Sequence, residues 1–228
     1  VDNRGRSAPT ASAGIALIAT NCIKEDALYP VKENVRYVSL ETYQTWFRGH
    51  PKPKDVIFVN KGTPGRVCQV PDLVDFCIAQ DMMALRPNVE LVDPDYLLAV
   101  MRSRDFKDQV AGLHVGTLIP HLKKQDLPYL RIPLPPMPIQ RRIGGLYCDL
   151  SRKIELNRRM NHTLEAMAQA IFKSWFVDFD AVIAKSESRQ PYGMNTETAA
   201  LFPSAFQDSE LGPIPKGWTL KPLDEIAD

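Results

Sequence analysis

Ile132-Pro133-Leu134-Pro135-Pro136-Met137-Pro138-Ile139-Gln140-Arg141-Arg142-Ile143 separates two kinds of sequence. Each proline pushes the residue before it towards extended geometry, so 131–138 reads as a stiff polyproline-like lead-in rather than helix. The next forty residues contain no proline. From Ile139 to Asp178 the sequence predicts a single helix, about 60 Å long at 1.5 Å per residue.

Apolar residues in that helix follow a heptad. Ile143, Leu150, Leu164 and Ile171 fall seven or fourteen apart, and Ile139, Leu146, Met160 and Met167 fill the complementary register. The pattern is a coiled-coil seam. Lys153 and Asn157 interrupt it near the middle, one in each core register. Polar residues there weaken packing but fix register and partner. The helix is too long for one small domain to cover, so a partner helix is expected.

Upstream, residues 1–130 read as a mixed α/β globular domain. Strands are expected at 14–20, 35–39, 55–60 and 65–70 from their branched and aromatic content, with a further one at Met82–Leu85. Lys61-Gly62-Thr63-Pro64-Gly65 is a turn, making 55–60 and 65–70 a hairpin. Ser39 is placed to cap a helix over 40–47, and Asp93 followed by Pro94 to cap another over 94–101. A short third helix is expected from His121 to Asp126. Downstream, 179–210 reads as a linker, and 211–228 regains strand character around Gly217-Trp218. The fold class is therefore α+β: a mixed α/β domain (1–130), a proline lead-in and coiled-coil helix (131–178), a linker (179–210) and a terminal strand segment (211–228).

Charge follows the same divisions. The chain of 228 residues carries a net +1, but 131–176 holds 8 basic against 3 acidic residues, and 177–228 holds 4 against 9. A strongly basic nucleic-acid glove is excluded on net charge; a local basic face is not. No apolar run approaches the length of a bilayer span. The opening residues lack a signal-peptide core and an initiator Met, as expected of a fragment, a processed chain or a rearranged one. Cys22, Cys68, Cys77 and Cys148 form no CxxC pair and read as reduced, buried thiols.

Catalytic motifs are sparse. Neither GxxxxGK[ST] nor GxGxxG occurs. Asp93-Pro94-Asp95-Tyr96 superficially resembles the (N/D)PP(Y/F) tetrad of amino-methyltransferases, but Asp95 replaces the second proline and no Gly-rich loop precedes it, so a helix cap is the better reading. Asp55 with Lys61 hints at a nuclease pair and reads better as strand-end solvation. His50, His114, His121 and His162 lack metal-ligand spacing, and no metal site is expected.

The stretch from Ile132 to Ile143, Lys153-Ile154-Glu155-Leu156-Asn157-Arg158-Arg159-Met160-Asn161, Leu164-Glu165-Ala166-Met167 and Ile171 to Phe179 together resemble the spacer helix of type I restriction–modification specificity subunits. Gly14–Ile18, Lys54–Ile57, Lys61–Val67 and Gly116–Leu122 resemble that family's target recognition domain, and Gly212–Trp218 the opening of such a domain. The resemblance implies a non-catalytic, cytoplasmic DNA reader of a bacterium or archaeon. Its implied partners are double-stranded DNA with a two-part target, methyltransferase (modification) subunits and restriction/translocase subunits. S-adenosylmethionine, ATP and Mg would belong to those partners, with no cofactor on this chain. A full subunit of the family has two recognition domains and two spacers, whereas this chain has one of each. The expectation is a circularly permuted half-subunit that homodimerises, or a fragment of a longer subunit. Residues 212–228 are expected to complete a recognition domain, either the partner's in a dimer by strand addition, burying Leu220 and Leu223 there, or this chain's own, since the linker 179–210 is long enough to reach back.

Phosphate contacts need Lys, Arg and backbone N–H groups. The candidates are Arg4, Arg6, Lys61, Thr63, Arg66, Thr117, His121, Lys123 and Lys124. The competing function class is a protein-interaction module dimerising through its helix with no nucleic-acid role. Salt-dependent duplex binding separates the two.

Overall fold

In the computed structural model, described over residues 7–113, 119–222 and 225–226, the chain divides into two compact units, 1–157 and 158–228. The long helix contributes to both.

The first unit holds two three-stranded sheets. Strands β1 (Ile15–Ile18), β2 (Arg36–Val38) and β5 (Phe76–Ile78) form one, in the order β2-β1-β5, with β1 antiparallel to β2 and parallel to β5. Strands β3 (Val56–Val59), β4 (Val67–Gln69) and β6 (Met82–Leu85) form the other, with β3 in the centre and antiparallel to both neighbours. β3 is buried on both faces, which explains its uninterrupted Val-Ile-Phe-Val run. Its side chains alternate, as the pleat requires. Ile57 and Val59 join a core with Leu17, Ile18, Val38, Phe76 and Ile78. Val56 and Phe58 join a second core with Leu98, Met101, Phe106, Val110 and Cys148.

The expected caps are present. The Ser39 hydroxyl accepts the Thr42 amide at 3.0 Å and starts α1 (Leu40–Thr45). Asp93 Oδ1 accepts the amides of Asp95 and Tyr96, each at 3.0 Å, at the start of α2 (Pro94–Met101). The Asp93–Tyr96 tetrad is thus a helix start. The hairpin between β3 and β4 forms as expected. Its turn needs glycine at 65, where φ is +91° and a Cβ would press on Val110 at 3.3 Å.

Several expectations need correction. α3 (Arg104–Leu113) was unforeseen, although Phe106 and Val110 lie one turn apart and are its buried residues. β5 is only three residues long and escaped the strand pattern. The helix expected over 121–126 is instead a 3₁₀ turn at Lys124–Tyr129, because His121 is held in a β-bridge with Lys61. The long helix α4 runs from Met137 to Phe176, two residues earlier than expected, because a proline in the first turn lacks only an N–H that has no intrahelical acceptor.

The second unit corrects the linker reading. Within 179–210 lie α5 (Asp180–Ser186), α6 (Thr196–Ala200) and β7 (Phe206–Gln207), and β7 pairs antiparallel with β8 (Ile214–Pro215). Ala181, Val182, Met194 and Phe202 form a small core, with Trp175, Phe179 and Phe206 packed against it. Lys185 Nζ donates to the carbonyls of Ala199 and Phe202, tying α5 to the end of α6. Trp218 stacks on Phe176 with ring centroids 6.4 Å apart and meets Phe179 edge-on at 5.5 Å. Residues 214–218 therefore have partners in their own chain; Leu220 is exposed and Leu223 lies outside the described residues.

All four cysteines are unpaired and buried. Burial pushes the Cys77 thiol up to about 12 and Cys148 to about 11, and raises Cys68 as well. Thiolates are the reactive form. The folded chain should therefore resist a thiol-alkylating reagent at pH 8 and react at four sites in denaturant. Fast labelling of native protein would contradict this burial.

Candidate nucleic-acid interface

The β3–β4 turn and the segment after α3 meet although they lie 60 residues apart in sequence. Lys61 and His121 form an antiparallel bridge. The Gly62 amide donates to Pro120 O at 2.9 Å, and the Leu122 amide to Asn60 O at 2.8 Å. Leu122 is fully buried and anchors the contact. Asn60 Nδ2 lies 3.5 Å from His121 Nε2 beneath the turn. This arrangement displays exposed Lys61, half-buried Thr63 and His121, and exposed Lys123 and Lys124 around one backbone junction. Partial burial lowers the Lys124 pKa from its ordinary value.

Arg66 has other surroundings: it lines a hollow with Glu25, Arg102, Lys107 and Tyr147. Arg4, Arg6 and Thr117 lie outside the described residues, as does His114. Asp55 is not paired with Lys61. Its buried carboxylate accepts two hydrogen bonds from Arg86, at 3.0 and 2.8 Å, and one from the Lys52 amide at 2.9 Å. The Arg86 pKa is raised, chiefly by its hydrogen bond to Asp55. That geometry is a structural ion pair. Among the described residues no group of His, Cys, Asp and Glu is arranged to hold a metal, and no helix is long and apolar enough to cross a membrane.

The long helix presents two faces within the first unit. Gln140, Gly144 and Cys148 are buried against the α/β domain, one helical turn apart. The heptad pattern describes only the opposite face; the adjacent glycines 144 and 145 are the sequence signal for this one. Gln140 uses its whole amide: Nε2 donates to Leu91 O at 3.1 Å and Pro135 O at 2.8 Å, and Oε1 accepts the Asp93 amide at 3.0 Å. The other face carries the heptad. Ile139, Ile143, Leu146 and Leu150 are exposed in this chain, as are Lys153 and Asn157. Further along, Met160, Leu164, Met167 and Ile171 are also exposed.

Beside the helix dock lies a polar cluster. Asp95 accepts Gln69 Nε2 at 2.7 Å and Lys54 Nζ at 3.2 Å. Burial alone would raise the Asp95 pKa, but the hydrogen bonds from Gln69 and Lys54 hold it below the usual carboxylate value. A carboxylate lowered in the folded state stabilises the fold above its unfolded pKa, and that contribution is lost as pH falls through the folded value. Asp95→Asn should flatten the acid limb of a pH–stability profile measured by urea unfolding. An unchanged limb would contradict the assignment.

Residues 18–166 match the Type I restriction modification DNA specificity domain, and the chain belongs to that family. It is 35% identical over 133 residues to the type I restriction enzyme HindI specificity subunit of Haemophilus influenzae, covering 57% of this chain and 28% of that subunit. It is 27% identical over 132 residues to the MjaIX specificity subunit of Methanocaldococcus jannaschii, covering 58% of this chain and 27% of that one. The chain thus spans less than a third of the length of these curated relatives. Among solved structures, the HsdS subunit from Thermoanaerobacter tengcongensis aligns over 81% of this chain and 45% of its own, with 23% identity and a TM-score of 0.49.

Proposed function

We propose that this chain is a DNA-reading part of a type I specificity subunit, without catalytic activity of its own. The observation that carries the reading is the family match over 18–166, which takes in both the α/β domain and most of the long helix. In this reading the domain recognises one half of a two-part duplex target. The junction of Lys61, Thr63, His121, Lys123 and Lys124 faces the phosphates, with Arg4, Arg6, Arg66 and Thr117 as further contacts. Phosphate contacts set orientation, while base edges supply sequence information. The seam from Ile139 to Ile171 pairs with a second spacer, from another copy of this chain or from the remainder of a longer subunit. Modification subunits bind the pair and bring S-adenosylmethionine; restriction/translocase subunits join them with ATP and Mg. The assembly works in the cytoplasm of a bacterium or archaeon.

The test is a salt titration of duplex binding by fluorescence anisotropy. Each neutralised phosphate contributes about −0.9 to the slope of log K against log salt. The unmodified chain should show a steep negative slope. Lys61→Ala and Lys123→Ala should each reduce its magnitude by about 0.9 and weaken all sequences alike. Binding independent of salt, or no binding to duplex in the assembled complex, would sink the reading.

A further inference from the structure

The contact between α4 and the start of α2 has features that plain apolar packing does not need. Gln140 is only 2% exposed and ties two backbone segments together, the stretch before α2 through Leu91 and Asp93 and the proline lead-in through Pro135. Asp93 serves twice, capping α2 with its side chain while its amide donates to Gln140. One turn on, a Cβ at Gly144 would lie 2.3 Å from Tyr96 N and 2.7 Å from Asp95 C. Those are backbone atoms, so no side chain can swing aside. Tyr96 Oη donates to Pro133 O at 2.9 Å, and Arg102 Nη1 to Tyr147 Oη at 3.3 Å. Apolar faces tolerate sliding because the hydrophobic effect is non-directional. Directed hydrogen bonds and a backbone approach that admits only glycine define one register.

We infer that Gln140 and Gly144 form a register clamp that fixes the α/β domain on its helix and so sets the spacing between the two halves of the DNA target. The inference rests on the DNA-reading role proposed above. Both are positioning residues and touch no DNA. Lengthening a target's central spacer by one base pair moves a half-site by about 3.4 Å and turns it by about a tenth of a helical turn. To follow, the domain must slide or rotate on α4 by that amount. The clamp forbids this: ordinary carbon contacts lie at about 3.5–4.0 Å, and Gly144 already sits closer than any Cβ permits.

The test uses the chain assembled with its modification subunits and a duplex library. The preferred half-sites are held constant, and the spacer is the preferred length, one base pair shorter or one longer. Gly144→Val and Gln140→Leu are compared with the parent, and Gly145→Ala is the control, since a Cβ there meets nothing within 4 Å. Parent and control should favour one spacer length by about tenfold or more, the scale of a mismatched base pair. In Gly144→Val and Gln140→Leu that preference should fall to about twofold, with base preference inside the half-site unchanged. Gln140→Leu keeps side-chain volume and serves alone if Gly144→Val does not fold. Undiminished spacing preference in a folded Gln140→Leu, or an equal loss of half-site preference, overturns the clamp. A parent that binds duplex yet selects no two-part target overturns the functional reading and the clamp with it.

Discussion

Phe58→Ala should lower the stability of the first unit by about 3–5 kcal/mol, the usual loss when a buried aromatic is truncated. Phe58 is 0% exposed on the central strand β3 and belongs to one core with residues of α2 and α3 and with Cys148 of α4. A domain's net stability is about 5–15 kcal/mol, so the substitution removes much of it. Duplex binding should fall in parallel, because β3 leads directly into the Lys61 turn. Urea unfolding followed by tryptophan fluorescence measures the loss. A midpoint within error of the parent would show that the two cores do not depend on this strand.

In the proposed pairing of two copies of this chain, Leu150→Lys combined with Leu164→Lys should abolish association of the long helices. Both residues are exposed in the chain, at 58% relative exposure each, so neither change disturbs a core. Each leucine buried in a coiled-coil seam contributes about 1.5–3 kcal/mol. Losing two therefore weakens association by about 100-fold or more, before the cost of burying ammonium groups. Sedimentation should show the paired species replaced by single chains with unchanged helicity. Asn157→Leu should act in the opposite direction, tightening association while loosening register. A double-lysine variant of unchanged mass would contradict the seam.

How much was legible in advance depended on the range of the interaction. Ser39 and Asp93 announce their helices because a cap is a contact across two or three residues. The proline-free run after Pro138 announces α4 for a similar reason. The β3–β4 hairpin is read from a turn of five residues. The second unit was misread because its anchors, Ala181, Val182, Met194, Phe202 and Phe206, are widely spaced and show no period. They become a core only against Trp175 and Phe179 at the helix end. The candidate interface was half legible. Lys61, His121 and Lys123 were identified singly from charge and turn chemistry, but their meeting depends on the Lys61–His121 bridge, a long-range pairing no local pattern encodes. The helix dock at Gln140 and Gly144 was overlooked because a heptad describes the face turned away from it.

In the proposed function the α/β domain carries sequence preference for half of a DNA target. The most direct test is exchange. Residues 1–130 are substituted for the matching recognition domain of a full-length type I specificity subunit of known target, and that subunit's own modification partners are supplied. Sequencing of methylated genomic DNA then reads out the target. One half of the two-part target should change to a new sequence and the other half should stay as it was. An assembly that still methylates its original target at both halves would contradict the proposed function.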